Sequence, residues 1–271
     1  MAQRDMPEEL YGRISPACCY VTVFLDDEKI SEGSGYAYTP SGEVMTAAHV
    51  VTGRFPIRRS DYTAPELKIF CKFPGIPVAE YAVVMCCPEI QVPGFTSNVQ
   101  LDLAILHPKI PFPDTLHWIP VPLETPRLGQ RVFMAGYSEE LRLPFDVDRL
   151  LCPAMEGADA FKAAMDKGYQ ADMTGPLIKQ GHIGNIRRIV VTTAGGETLE
   201  CDVMYIDNAM HTGASGGPLV NERGEAIGVL SQRAVTTVDI GKDGNTRVPS
   251  GCTVAISLLP LRFLAGASTA T

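Results

Sequence analysis

Short runs of β-branched and aromatic residues, each broken by Gly, Pro, Asn or Asp, recur along almost the whole chain, and this rhythm constrains the fold most. Before a Pro-rich passage they fall at residues 19–25, 34–39, 43–46, 67–70, 79–85 and 103–106. After it they fall at 130–135, 182–193, 198–206, 218–220, 226–232 and 252–256, with Gly195-Gly196 marking a tight hairpin. Six runs on either side predict an all-β chain of two antiparallel barrels. Pro108, Pro111, Pro113, Pro120, Pro122 and Pro126 would each forfeit a ladder hydrogen bond inside a sheet, so this passage reads as a surface connector. The expected division is 1–115 for the first barrel and 116–271 for the second.

Two stretches leave the strand rhythm. Met155, Ala158, Phe161, Ala164 and Met165 recur at helical spacing with Gly168 beyond them, predicting a short helix over 155–167 inside an insertion spanning 138–179. At the other end, Ser257 can cap an apolar helical turn over 257–264, with Pro260 in its first turn.

Charge and cysteine usage remove several function classes. The 23 Lys and Arg against 31 Asp and Glu leave a net charge of −8, with no basic block longer than Arg58-Arg59 or Arg187-Arg188. Neither nucleic acid nor an anionic membrane is therefore an expected partner. The eight cysteines, at 18, 19, 71, 86, 87, 152, 201 and 252, never take the C-x-x-C spacing of a zinc or redox site, so no metal or other cofactor is expected. The first residues hold no apolar core of a signal peptide and no stretch approaches a membrane span. These readings place the chain in the cytoplasm, with reduced, mostly buried thiols.

The chemistry concentrates in three segments. In Gly213-Ala214-Ser215-Gly216-Gly217-Pro218 the glycines let the backbone turn sharply around a serine, so that the amides of Gly213 and Ser215 can converge as an oxyanion hole. The plain alternative is a glycine-rich turn opening a strand. In Thr46-Ala47-Ala48-His49-Val50 small residues let an imidazole pack closely while one edge stays free. In Leu101-Asp102-Leu103-Ala104-Ile105-Leu106 a carboxylate sits in an apolar run, where it needs a defined donor such as a histidine N–H. His107, His117 and His182 lack such a setting, and His211, four residues before Ser215, reads as an exposed loop histidine that could border the site.

With those segments in the order His, Asp, Ser, the chain from about Ile14 to Leu264 resembles the chymotrypsin-like serine peptidases, and among them the HtrA/Deg type. The likeness extends to Gly33-Ser34-Gly35, Leu128-Gly129-Gln130, Gly181-His182-Ile183-Gly184, Asp207-Asn208-Ala209, Gly224 to Val229 and the run from Val254 to Leu264. The resemblance implies two six-stranded Greek-key barrels with a catalytic cleft between them. It implies Ser215 as nucleophile, His49 as general base and then acid, and Asp102 as the group that orients the imidazole. It also implies a substrate pocket with Ala209 at its base and Leu230, Ser231 and Gln232 along a wall. With no carboxylate there, a small to medium apolar side chain is the expected preference on the acyl side of the cut. Ala214 before the nucleophile gives no support for activation by N-terminal trimming, and no PDZ segment is recognisable.

The expected function is thus a serine endopeptidase acting on proteins or peptides. Two other readings stand beside it: a proteolytically silent barrel that binds or scaffolds, and a latent protease switched on by a regulatory protein partner. The 138–179 insertion would be the docking element for such a partner, or else a helix decorating the barrel.

Overall fold

The computed structural model describes residues 7–92, 94–138, 141, 151–152, 154–192, 198–239 and 245–263. Two six-stranded closed antiparallel barrels form its body. The first is built from β1 (Cys18–Leu25), β2 (Glu28–Ala37), β3 (Val44–Thr46), β4 (Leu67–Lys72), β5 (Ala79–Cys86) and β8 (Ala104–Pro108), closed in the order β1-β2-β3-β8-β5-β4. The second uses β9 (Arg131–Gly136), β10 (Leu177–Thr192), β11 (Thr198–Ile206), β12 (Pro218–Asn221), β13 (Ala226–Asp239) and β14 (Asn245–Ser257), in the order β10-β11-β14-β13-β12-β9. A two-stranded ribbon, β6 (Glu89–Ile90) with β7 (Val99–Gln100), stands just before Asp102. The connector between barrels runs from Lys109 to Gln130 without a strand.

Each predicted run becomes a strand, with moved ends. β10 begins at Leu177, so the insertion closes before Lys179, and β13 and β14 continue past the barrel as a paired arm, with Val235 opposite Pro249 and Thr237 opposite Arg247. The Gly195-Gly196 hairpin lies outside the described residues. Ser257 corrects the sequence reading of a helix cap: it ends β14, and its hydroxyl accepts the Asp202 backbone N–H at 2.8 Å. The helical turn itself begins later, at 261–263, where Leu261, Arg262 and Phe263 each donate to the carbonyl three residues back.

A helix that the strand rhythm hides opens the described chain. In α1 (Pro7–Ala17), proline occupies the first position and Glu8 and Glu9 face the helix's positive end. Leu10 and Ile14, one turn apart, are buried in the same apolar cluster as Phe133, Val220 and Ala226. Tyr11 stands edge-on to Phe133 at 6.0 Å, and Arg13 Nη2 donates to the Arg223 carbonyl at 3.1 Å. A helix preceding the first barrel therefore packs on strands of the second and ties the two together.

The insertion does the reverse. It leaves the second barrel after β9 and forms α4 (Ala158–Ala164), a wide turn at Met165–Tyr169 and α5 (Gln170–Thr174), after the short α2 (Ala48–Thr52) and α3 (Ser60–Thr63) nearer the N-terminus. The helix predicted over 155–167 is thus shorter and bends at Gly168, where φ is 96°. A Cβ there would meet the Tyr20 ring at 2.9 Å, so only glycine lets the turn lie this close to β1. That seat explains why the first six residues of β1 are buried on both faces instead of alternating. Lys72 of β4, whose side chain is 1% exposed, reaches the insertion through Asp172 Oδ1 at 2.5 Å.

Candidate active site

His49 lies in α2, a single helical turn made of Ala48-His49-Val50-Val51-Thr52 that buries every residue but the histidine. The turn ends at Gly53 in a left-handed conformation, whose N–H donates to the His49 carbonyl at 2.8 Å. The small Ala47 and Ala48 are fully buried, which sets the imidazole at the barrel's rim with one edge inward. Inward, Nδ1 meets Asp102 Oδ2 at 2.8 Å, and the His49 backbone N–H donates to Asp102 Oδ1 at 3.0 Å.

Asp102 is only 6% exposed. Burial by itself would raise its carboxyl, but the hydrogen bonds from the His49 ring, the Ser231 hydroxyl and the His49 backbone hold it below the usual carboxylate range. An ionised carboxylate on Nδ1 keeps the ring proton there and leaves Nε2 as the acceptor facing the cleft. Sequence places Ser231 only in the pocket wall, yet its Oγ is the third donor, on Asp102 Oδ2. Its carbonyl also accepts the Ser215 hydroxyl at 2.8 Å, so one residue of β13 touches both the carboxylate and the serine.

Ser215 is held by a loop pinned between the barrels. Ser34 N donates to the Ser215 carbonyl at 2.7 Å, Gly216 N to the Leu230 carbonyl at 2.7 Å, and Leu230 N to the Gly217 carbonyl at 2.8 Å. Gly216 has φ of 87°, and a Cβ on it would collide with the Ser34 carbonyl and the Thr46 hydroxyl. Among the described residues, the amides of Gly213 and Ser215 donate to no other group, which leaves both for an incoming oxygen. Fully buried Ser34 holds the loop from behind: its Oγ donates to the Gly213 carbonyl at 2.8 Å and accepts the Tyr137 N–H at 2.8 Å.

Ser34→Ala would leave that carbonyl and that N–H without their buried partner, at a cost of about 1–3 kcal/mol. We expect a lower thermal midpoint and about a tenfold slower reaction of Ser215 with an active-site probe, since the Gly213 peptide loses its anchor. An unchanged probe rate would show that Ser34 supports the fold without positioning the loop.

His49, Asp102 and Ser215 line one cleft of about 600 Å³ between the barrels. Leu230, Ser231 and Gln232 line it as read from sequence, whereas Ala209 does not. The Ala209 carbonyl instead accepts Lys179 Nζ at 3.0 Å, and the neighbouring Met210 takes the lining position. Thr253 fixes this exchange, accepting the Met210 N–H at 2.8 Å and donating to the Asn208 carbonyl at 2.9 Å. No residue-type signal distinguishes Ala209 from Met210 in the sequence. His211 is exposed and borders the cleft, while His107 and His182 sit elsewhere beside Glu43 and Asp207.

Two closed barrels with a serine, a histidine and a buried aspartate lining the cleft between them have the architecture of the double-barrel peptidases. The trypsin-like peptidase domain family matches residues 33–229, and the chain belongs to that family. Among solved structures it is similar to the active form of the Rv3671c protease from M. tuberculosis, with a TM-score of 0.56 and 18% identity over 95% of this chain and 82% of that one. It is also similar to the HtrA-type protease AlgW with a tripeptide, with a TM-score of 0.58 and 19% identity over 96% of this chain and 63% of that one. At these identities the likeness is one of fold. A search of curated protein sequences returns no match.

Proposed function

We propose that the chain is a serine endopeptidase that uses Ser215, His49 and Asp102 as a catalytic triad. The observation that carries this reading is the doubly held Asp102–His49 pair opening onto the same cleft as Ser215, whose loop keeps two amides undonated. In the reaction the Ser215 hydroxyl turns from the Ser231 carbonyl toward His49 Nε2. Its oxygen bonds to the substrate carbonyl carbon as its proton passes to Nε2, and the amides of Gly213 and Ser215 receive the oxyanion. His49 then delivers the proton to the leaving amine as the C–N bond breaks, and water releases the acyl group by the same steps reversed.

Met210, Leu230 and Val254 give the cleft a buried apolar lining, and Asp102 is the only carboxylate bordering it among the described residues. This supports a small to medium apolar side chain on the acyl side of the cut. The eight free cysteines, with burial pushing Cys86, Cys87 and Cys201 up to about 12, suit a cytoplasmic, reducing compartment. The second reading is a latent protease answering to a partner at the insertion, and the seat of that insertion on the first barrel favours it.

A fluorophosphonate probe tests both, with the adduct located by mass spectrometry. Modification of Ser215 in the purified chain supports the peptidase. Modification only after adding cell lysate supports latency, and no adduct under either condition leaves a silent binding module.

A further inference from the structure

The chain's net charge is −8, yet its cleft has the opposite character. Arg54, Arg233 and His211 border it beside His49, and its one carboxylate among the described residues, Asp102, is buried and committed to His49 and Ser231. Arg54 lies 3.5 Å from Asp61 Oδ2 and is partly neutralised. Arg233 is exposed and, among the described residues, has no ionic partner.

Arg233 also stands on an unusual stretch of backbone. β12 pairs with β13 only as far as Val229, and Leu230 is held by Gly216 and Gly217. Beyond Ser231, whose carbonyl meets Ser215, β13 pairs among the described residues with β14 on one side only. Its other edge is unpaired among the described residues from the cleft out along the arm, past Gln232, Arg233, Val235, Thr236 and Thr237, all exposed. Arg247, opposite Thr237 on β14, is a second exposed arginine. An open edge contiguous with a nucleophile is a template for an added strand, and Arg233 on it, with Arg247 across β13 on the neighbouring strand, selects what that strand carries.

We propose that this edge selects an acidic acyl-side segment, with one carboxylate meeting Arg233 and a second reaching across β13 to Arg247 on β14. The proposal rests on the peptidase reading above for its direction. Added antiparallel to β13, as the barrels' own strands pair, a segment with its scissile residue opposite Ser231 advances along β13 as it runs upstream. The residue opposite Arg233 is then two positions before the scissile one. Thr237 lies four residues further, about 13 Å at strand spacing, which places the second acidic residue near the sixth upstream position. The ligand class is therefore an unfolded or loop segment with spaced Asp or Glu residues ahead of an apolar cut site.

The test uses binding, so that it does not depend on turnover. Fluorescein-labelled peptides carrying Glu, Gln or Lys two residues before an apolar scissile residue are titrated against the Ser215→Ala chain by anisotropy. The Glu peptide should bind about three- to tenfold more tightly than the Gln peptide, as a partly desolvated ion pair allows. Lys should bind weakest, and the spread should shrink in about 0.5 M salt, where screening acts within a few ångströms. Arg233→Glu should reverse the order, Arg233→Gln should flatten it, and Arg247→Glu should weaken only peptides with the second acidic residue. Equal binding of the three peptides, an order unaltered by Arg233→Glu, or no binding up to millimolar peptide would overturn the proposal. A missing fluorophosphonate adduct alongside charge-selective binding would instead remove the catalytic reading and leave this surface in place.

Discussion

Replacing Asp102 with asparagine is expected to lower kcat by about four orders of magnitude while the fold survives. The carboxylate accepts three donors: the His49 ring, the His49 backbone N–H and the Ser231 hydroxyl. Asparagine has one accepting oxygen and an NH2. With the oxygen kept on the backbone N–H, the NH2 faces Nδ1 and forces the ring proton onto Nε2. On the proposed peptidase reading, the base is then blocked at the atom that takes the proton of Ser215. Because the side chain keeps its shape and Ser231 can turn to accept, KM should stay within about threefold, the pattern of an interaction used mainly in the transition state. A loss of only tenfold in kcat would show that Asp102 does not set the tautomer.

The same substitution has a signature in folding. The carboxyl of Asp102 is held below its ordinary value in the folded chain. Its contribution to stability is therefore complete above the unfolded value, near 3.9, and fades as pH falls through the lower folded value. An asparagine side chain does not titrate, so the thermal midpoint of the Asp102→Asn chain should fall less steeply than the native chain's on acidification below about pH 4.

The sequence made the strands legible because β-branched runs and Gly or Pro breaks are local signals. Asp102 was legible for a related reason, since an ionised group inside Leu101 to Leu106 needs a donor from elsewhere. What escaped depends on contacts between distant segments. α1 follows no strand rhythm and becomes comprehensible only when Leu10 and Ile14 meet the second barrel. Ser34 reads as one letter of a glycine-flanked turn, and its hold on Gly213 spans 179 positions. Whether Ala209 or Met210 faces the cleft is a matter of which backbone groups Thr253 engages, and composition carries no trace of it. The edge of β13 left unpaired among the described residues is likewise a property of pairing: β12 begins only at Pro218, opposite Val229, after the chain has turned away from Ser215 through Gly216 and Gly217.

Lys72 and Asp172 give the second large effect, and its asymmetry follows from exposure. Lys72 Nζ is enclosed, donating to the Phe73 carbonyl at 2.8 Å and to Asp172 at 2.5 Å, with the Tyr169 ring 5.0 Å away. Its side chain is 1% exposed against 36% for Asp172, which also accepts the Gly75 N–H at 2.7 Å. Asp172→Ala strands a buried ammonium, at a cost of about 3–5 kcal/mol. For a chain of this size that corresponds to a thermal midpoint about 10 °C lower. Lys72→Met should cost less, because the remaining carboxylate can hydrate and keeps the Gly75 amide, while methionine fills the apolar path of the lysine stem. Combining Lys72→Met with Asp172→Leu removes both charges and should recover most of the loss from Asp172→Ala. Equal penalties for the two single changes, with no recovery in the double, would mean that the insertion is held by packing at Gly168 and Ala171 and that the ion pair is incidental to it. The Ser215 probe rate in the Asp172→Ala chain adds a functional readout. The insertion rests on Tyr20, Tyr20 meets Tyr137 edge-on at 5.5 Å, and the Tyr137 N–H holds Ser34 behind the Gly213 carbonyl. A slower probe reaction, measured well below the unfolding transition, would show that loosening the insertion is felt at the Ser215 loop through that path.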